Sequence, residues 1–323
     1  GGTLEVLVNI MKLNPYNERI QQMVNKTIQA FCLNDRLAAL IAERMGSAGF
    51  VFSMKKHVEP ETLASTCSAT AKLLRSDASV DMFVKGGVVA GLRHVVHTQE
   101  QNVEVLVPAT QCLDRICDNA IYCADVMESG VVPDILNALK HYPENAALVG
   151  HVLSMIGKLA AVSPEYLDAL KKLGAVDILV AALDMHPDDE RLNGLGARAL
   201  KLLAGEADIN SAFKVAVGNT METANALSKM SSLLLVDENV DYLIANQGIA
   251  WLISALNSAL PEHSEVASKI LVSGCRALMR MAGDENKIYS IMQQGGVKLL
   301  VAIIEGHLQD ENVVVSALNA LAK

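Results

Sequence analysis

The chain repeats itself, and this limits its fold more than any other feature. Five stretches begin with Asn or Ser, place an aromatic residue three positions on and continue as an amphipathic helix: Asn119 with Tyr122, Ser163 with Tyr166, Asn210 with Phe213, Asn239 with Tyr242, and Asn286 with Tyr289. Asn34 and Ser79 head two looser copies. The starts recur every 40 to 47 residues, save one interval of 29 between Asn210 and Asn239. A unit of that size cannot bury its own apolar face, so its core must be shared with its neighbours.

Asn and Ser at the head of each copy suit the N-cap, where their side-chain oxygens accept the unpaired amides of the first turn. The aromatic residue three positions on is expected in the core. Each helix then ends at glycine and turns straight into a second apolar helix, as in SPEYLDALKKLGAVDIL and NKIYSIMQQGGVKLLV; glycine permits the sharp turn. A polar turn follows, often with proline (Pro15, Pro60, Pro143, Pro187, Pro261), and then a longer third helix of small and aliphatic residues such as ARALKLLAG and CRALMRMAG. Between Gly218 and Glu222 there is no room for a second helix, so 218–247 is expected to be a short, irregular repeat.

Composition narrows the function. Hydrophobic residues make up 51% of the chain but aromatics only 4%, which excludes disorder and disfavours an all-β fold. No apolar run reaches the roughly 18 residues of a membrane span, so no membrane insertion is expected. Against 36 acidic residues stand 27 Lys plus Arg, and a net charge of -9 argues against a nucleic-acid partner. The six cysteines form no CxxC pair and lie in apolar helical stretches, which fits buried thiols in a reducing compartment.

Three helices per unit of about 42 residues, with glycine between the first and second, resemble the armadillo repeat family. The resemblance implies an all-α, right-handed α-solenoid of about seven armadillo-type repeats, forming one domain over 1–323. It opens at Gly1-Gly2 before a second-type helix and closes in ALNALAK, the end of a third-type helix, and so reads as a piece of a longer array. In this family the third helices line a concave groove that holds an extended peptide. The Trp-x-x-x-Asn ladder of importin-alpha-like members is missing: Trp251 lies on a second helix, and the tryptophan slots read Ser68, Gln111, Ser154, Arg198, Asn225, Arg276 and Ser316.

The asparagine slots read Ala30, Lys72, Arg115, Lys158, Leu202, Lys229, Arg280 and Ala320. Five of the eight are cations in an acidic chain. With Arg198 and Arg276 from the neighbouring column, they make the expected partner-binding groove: Lys72, Arg115, Lys158, Arg198, Lys229, Arg276 and Arg280. The partner expected there is a protein or peptide with an acidic extended segment, as in beta-catenin-like grooves. No enzymatic constellation, cofactor motif or metal-ligand set is found. Cys112, Cys117 and Cys123 have spacings of five and six, and His94 with His97 lacks a third ligand. The expected role is a non-catalytic scaffold in the cytoplasm. The alternatives are a structural component docked in a cytoskeletal or ciliary assembly, and a myosin chaperone like the UCS proteins.

Overall fold

The computed structural model describes residues 2–323, the side chain of Thr3 apart, so the expectation attached to Gly1 lies outside it. Among the described residues there are 22 α-helices, one 3₁₀ turn and no strand. The chain divides into two compact units, one running to Ile178 and one from Leu179 to Lys323.

The helices fall into the three expected types. First-type helices are α3 (Asp35–Met45), α6 (Asp77–Lys85), α9 (Cys123–Ser129), α12 (Pro164–Lys172), α15 (Glu206–Phe213), α17 (Asp237–Ala245) and α20 (Glu285–Gln293). Second-type helices are α1 (Gly2–Leu13), α4 (Ala48–Lys56), α7 (Val88–Thr98), α10 (Val131–His141), α13 (Ala175–Asp184), α18 (Gly248–Ala259) and α21 (Gly296–Gly306). Third-type helices are α2 (Glu18–Phe31), α5 (Pro60–Leu73), α8 (Val103–Ile116), α11 (Ala146–Val162), α14 (Glu190–Leu203), α16 (Met221–Leu233), α19 (Glu265–Met281) and α22 (Glu311–Leu321). In the first unit α2, α5, α8 and α11 pack side by side in chain order; in the second, α16, α19 and α22 do. Their facing residues are the core, including Leu106, Leu113 and Ile116 of α8 and Ile270, Leu271 and Leu278 of α19.

The motif residues keep the expected roles only in part: Asn34 caps α3, accepting from the Leu37 amide at 3.0 Å. Ser163 caps α12 by accepting from the Tyr166 amide at 3.3 Å, and Asn119 caps only the 3₁₀ turn Ala120–Tyr122. Ser79, Asn210, Asn239 and Asn286 lie inside their helices, and Ser76 and Asp284 do the capping at two of them. Asn239 instead turns back to the end of α16, donating to the Leu233 carbonyl at 2.8 Å. The aromatics are not core residues either. Tyr122 donates to Asp81 of α6 at 3.0 Å, and the Tyr242 hydroxyl accepts from Asn210 of α15 at 2.7 Å. A phenol hydroxyl needs a polar partner, and the preceding first-type helix supplies one.

The second-type helix is missing once. Residues 214–220 run as a loop straight from α15 to α16, so two helices stand where other units have three. The short stretch expected from Gly218 starts in this loop, while α17 and α18 beyond it belong to a full unit. Trp251 of α18 stands beside the loop: its ring lies 5.7 Å from that of Phe213, and its indole N–H donates to the Val215 carbonyl at 3.4 Å. The next turn also departs from the glycine pattern. Gly87, Gly130, Gly174 and Gly295 take the left-handed conformation, but before α18 it is Gln247 that does so, at φ 63°.

Candidate functional site

Periodicity carries the basic residues onto the third-type helices, and their surroundings then decide which charges remain available. Lys72 and Arg115 occupy the last turns of α5 and α8, where cations favour the helix dipole. Lys72 is exposed and Arg115 half-buried, and among the described residues no acidic group pairs with either. The Arg115 Nε is itself buried and has no acceptor.

Lys158 on α11 differs. Its ammonium lies 2.6 Å from Asp114 and 2.6 Å from Asp118, and it also donates to the Asp114 carbonyl at 2.9 Å. The His151 Nδ1 stands 3.2 Å from the other oxygen of Asp114. Burial pushes the Asp114 carboxyl up, but hydrogen bonds from His151 and Lys158 outweigh it and hold the group below the usual carboxylate range. Burial likewise lowers Lys158, and its two carboxylate partners raise it above the ordinary lysine value. Two carboxylates around one ammonium leave no net positive charge there.

In the second unit, Arg198 is exposed and donates to the Gly194 carbonyl of its own helix at 3.2 Å. Lys229 is half-buried on α16. Arg276 stands 3.7 Å from Asp184. Arg280 reaches past α16: one nitrogen donates to the Ser231 carbonyl and another to Asn193 of α14 at 3.4 Å. Burial lowers the Arg280 pKa to about 10, with the Arg276 cation adding to the shift. The seven residues therefore do not form one uniform row of free cations.

Sequence reasoning missed Arg75, Asp114, Asp118 and His151. A signal for some of them was present, because polar partners recur one repeat apart: Arg75 pairs with Asp35 at 2.7 Å across 40 residues, and Lys158 with Asp114 across 44. All six cysteines are free and buried, and burial pushes Cys67 and Cys275 up to about 12, keeping these thiols protonated. His97 stands 3.6 Å from Asp134, and no group of three or more His, Cys, Asp or Glu is arranged for a metal among the described residues. Among those residues no single helix is long and apolar enough to cross a membrane.

No family model matches the chain, and neither does any curated protein. Solved structures do match. A chain solved in work on a phosphorylation switch that controls the interaction between cadherin and beta-catenin aligns with 98% of this chain and 63% of its own length, at TM-score 0.58 and 19% identity. The fold is the armadillo repeat solenoid. A designed armadillo repeat protein, 16% identical, also aligns over 85% of this chain and 98% of its own at TM-score 0.38. An engineered protein, 14% identical, covers 99% and 97% at TM-score 0.49. The armadillo fold accounts for the three helix types and, within each unit, for third-type helices packing on one another.

Proposed function

We propose that this protein is a non-catalytic protein-interaction scaffold, and that the third-type helices of its first unit hold an extended acidic segment of a partner. One observation carries the reading: Lys72 and Arg115 stand on successive third-type helices with no acidic partner among the described residues, in a chain of net charge -9. Neighbouring helices pack about 8 to 10 Å apart and an extended peptide advances about 3.3 Å per residue, so one cation meets every third side chain. Each exposed ion pair contributes only about 0.2 to 1 kcal/mol, so backbone and apolar contacts must supply the rest of the affinity. We place this role in the cytoplasm, supported by six cysteines that are all unpaired and buried.

The test is calorimetric titration of the full chain with a peptide of about twelve residues bearing Glu at every third position, against the same peptide with Gln. The Glu peptide is expected to bind more tightly, to weaken as salt rises, and to be lost on the double reversal Lys72→Glu with Arg115→Glu. Equal binding of both peptides, or indifference to the reversal, overturns the reading.

A further inference from the structure

Neighbouring first-type helices are tied by a pair of side chains whose places can be counted back from the positive-φ residue closing each helix. Tyr122, eight residues before Gly130, donates at 3.0 Å to Asp81, six before Gly87. Lys287, eight before Gly295, lies 2.8 Å from Asp241, six before Gln247. Between α3 and α6 the same count gives Ser79, eight before Gly87, and Leu40, six before Gly46. That pair makes no tie: the Ser79 hydroxyl turns back to the Ser76 carbonyl at 2.8 Å, and Leu40 is 44% exposed. A cleft of about 850 Å³ opens there in the first unit, lined by Leu37 and Leu40 of α3 and by Ala78 and Met82 of α6. Large aliphatic side chains exposed together in a concave place mark a docking surface.

The walls also say what fits. Their polar groups are engaged in capping: Asn34 accepts from the Leu37 amide at 3.0 Å, and Ser76 accepts from the Ser79 amide at 3.2 Å. An extended segment laid here would lose water from its N–H and C=O groups and gain no partner, whereas a helix satisfies its own backbone. At the rim, Arg36 and Glu43 are both exposed, stand two turns apart on α3, and have no charged partner among the described residues. We propose that the cleft between α3 and α6 docks an amphipathic helix of a partner protein. Its apolar face carries large aliphatic residues, with an acid set against Arg36 and a base, two turns along, against Glu43. An aliphatic anchor suits the cleft better than a phenol, because Leu40 stands where Asp81 accepts from Tyr122 one repeat on. The surface goes beyond the function proposed above: first-type helices form it, and Lys72 and Arg115 take no part.

The experiment titrates the full chain with Ala-rich peptides of about eighteen residues, long enough to form a helix. Each carries Leu at i, i+4 and i+7, flanked by two charges seven residues apart: one Glu with one Lys, two Glu, or two Lys. The mixed peptide is expected to bind tightest and each like-charged peptide about two- to fivefold more weakly. Glu43→Gln should remove the disadvantage of the two-Glu peptide, and Arg36→Gln that of the two-Lys peptide. Leu40→Gln is expected to weaken the mixed peptide about tenfold, while Val301→Gln on α21, at 42% exposed a close match to Leu40, changes nothing. All four positions are exposed, and circular dichroism checks that the variants keep their helix content.

The docking site is overturned if the mixed peptide fails to bind, if Leu40→Gln binds it like wild type, or if the three charge patterns bind equally. It is also overturned if a version of the mixed peptide with a central proline, which breaks the helix, binds as tightly. Sedimentation closes the remaining route: a wild-type dimer that Leu40→Gln turns into a monomer gives the cleft to a second copy of the chain and overturns the partner helix. None of these results touches the acidic segment on the third-type helices, which the spaced Glu peptide and the reversal of Lys72 and Arg115 test separately.

Discussion

The two units use the same kind of repeat, yet their third-type helices join in different ways. In the first unit, side-chain links between repeats span about one period, 40 residues for Arg75 with Asp35 and 44 for Lys158 with Asp114. In the second, Ser268 meets Asp310 one period on, 42 residues away, but Arg280 reaches Asn193 across 87 residues, passing over the two-helix unit of α15 and α16. The difference teaches that a basic column is not in itself a binding surface. Where repeats are regular, a cation meets either its neighbour's acid or solvent; where a helix is missing, the chain's own next-but-one repeat takes the place of a partner.

The strongest way to break this comparison is to remove the long link. Arg280→Ala leaves the Ser231 carbonyl and the Asn193 side chain without their donor and opens a void in a half-buried place, so a loss of about 3 kcal/mol is expected in urea denaturation of the full chain. A loss below about 0.5 kcal/mol, the level of an ordinary surface change, removes Arg280 as the tie between α14 and α19.

On the regular side, Lys158→Gln exposes Asp114 and Asp118 to each other and is expected to cost about 2 kcal/mol at neutral pH. Because the folded Asp114 pKa is depressed, its contribution is full above the unfolded value of about 3.9 and is lost as pH falls through the folded value. Lys158, raised in the fold, loses its contribution only as pH rises through that raised value, above about 10.4. Denaturation midpoints taken from pH 7 down to pH 3 should therefore fall more steeply for wild type than for Lys158→Gln. Parallel curves break the assignment of this acid sensitivity to the Asp114 cluster.

The smallest effect sharpens the contrast at a turn. Glycine takes the left-handed position before α7 and α10, but Gln247 takes it before α18, and its side chain is exposed. Gln247→Gly relieves that conformation and should stabilise the protein by about 0.5 to 1 kcal/mol, the relief exceeding the added chain entropy of glycine. A lower thermal midpoint for the variant contradicts this.

Much of the fold was legible because its signals are local: glycine turns, caps and helical spacing. The candidate site was less so. The spacing gave Lys72 and Arg115 their places on α5 and α8, but the neutralisation of Lys158 depends on Asp114 and Asp118 one repeat earlier, which requires reading two helices in register. The capture of Arg280 by Asn193 was not legible at all, since it follows from how the chain packs around a missing helix. Buried polar pairs were hidden for a related reason. Asn25 of α2 bonds Thr66 of α5 at 2.9 Å and Ser65 at 3.3 Å, where the small-and-aliphatic pattern of other third-type helices gives no hint of a polar seam.

Trp251 is the sole tryptophan of the chain, and it sits beside the loop that replaces a helix. Its ultraviolet emission accordingly comes from one spot in the second unit. A shift in that emission during unfolding reports when the loop and α18 part company, whereas helical dichroism reports both units at once. Separate transitions for the two signals would mean that an array built of similar parts comes undone unevenly, and that the shortest part sets the order.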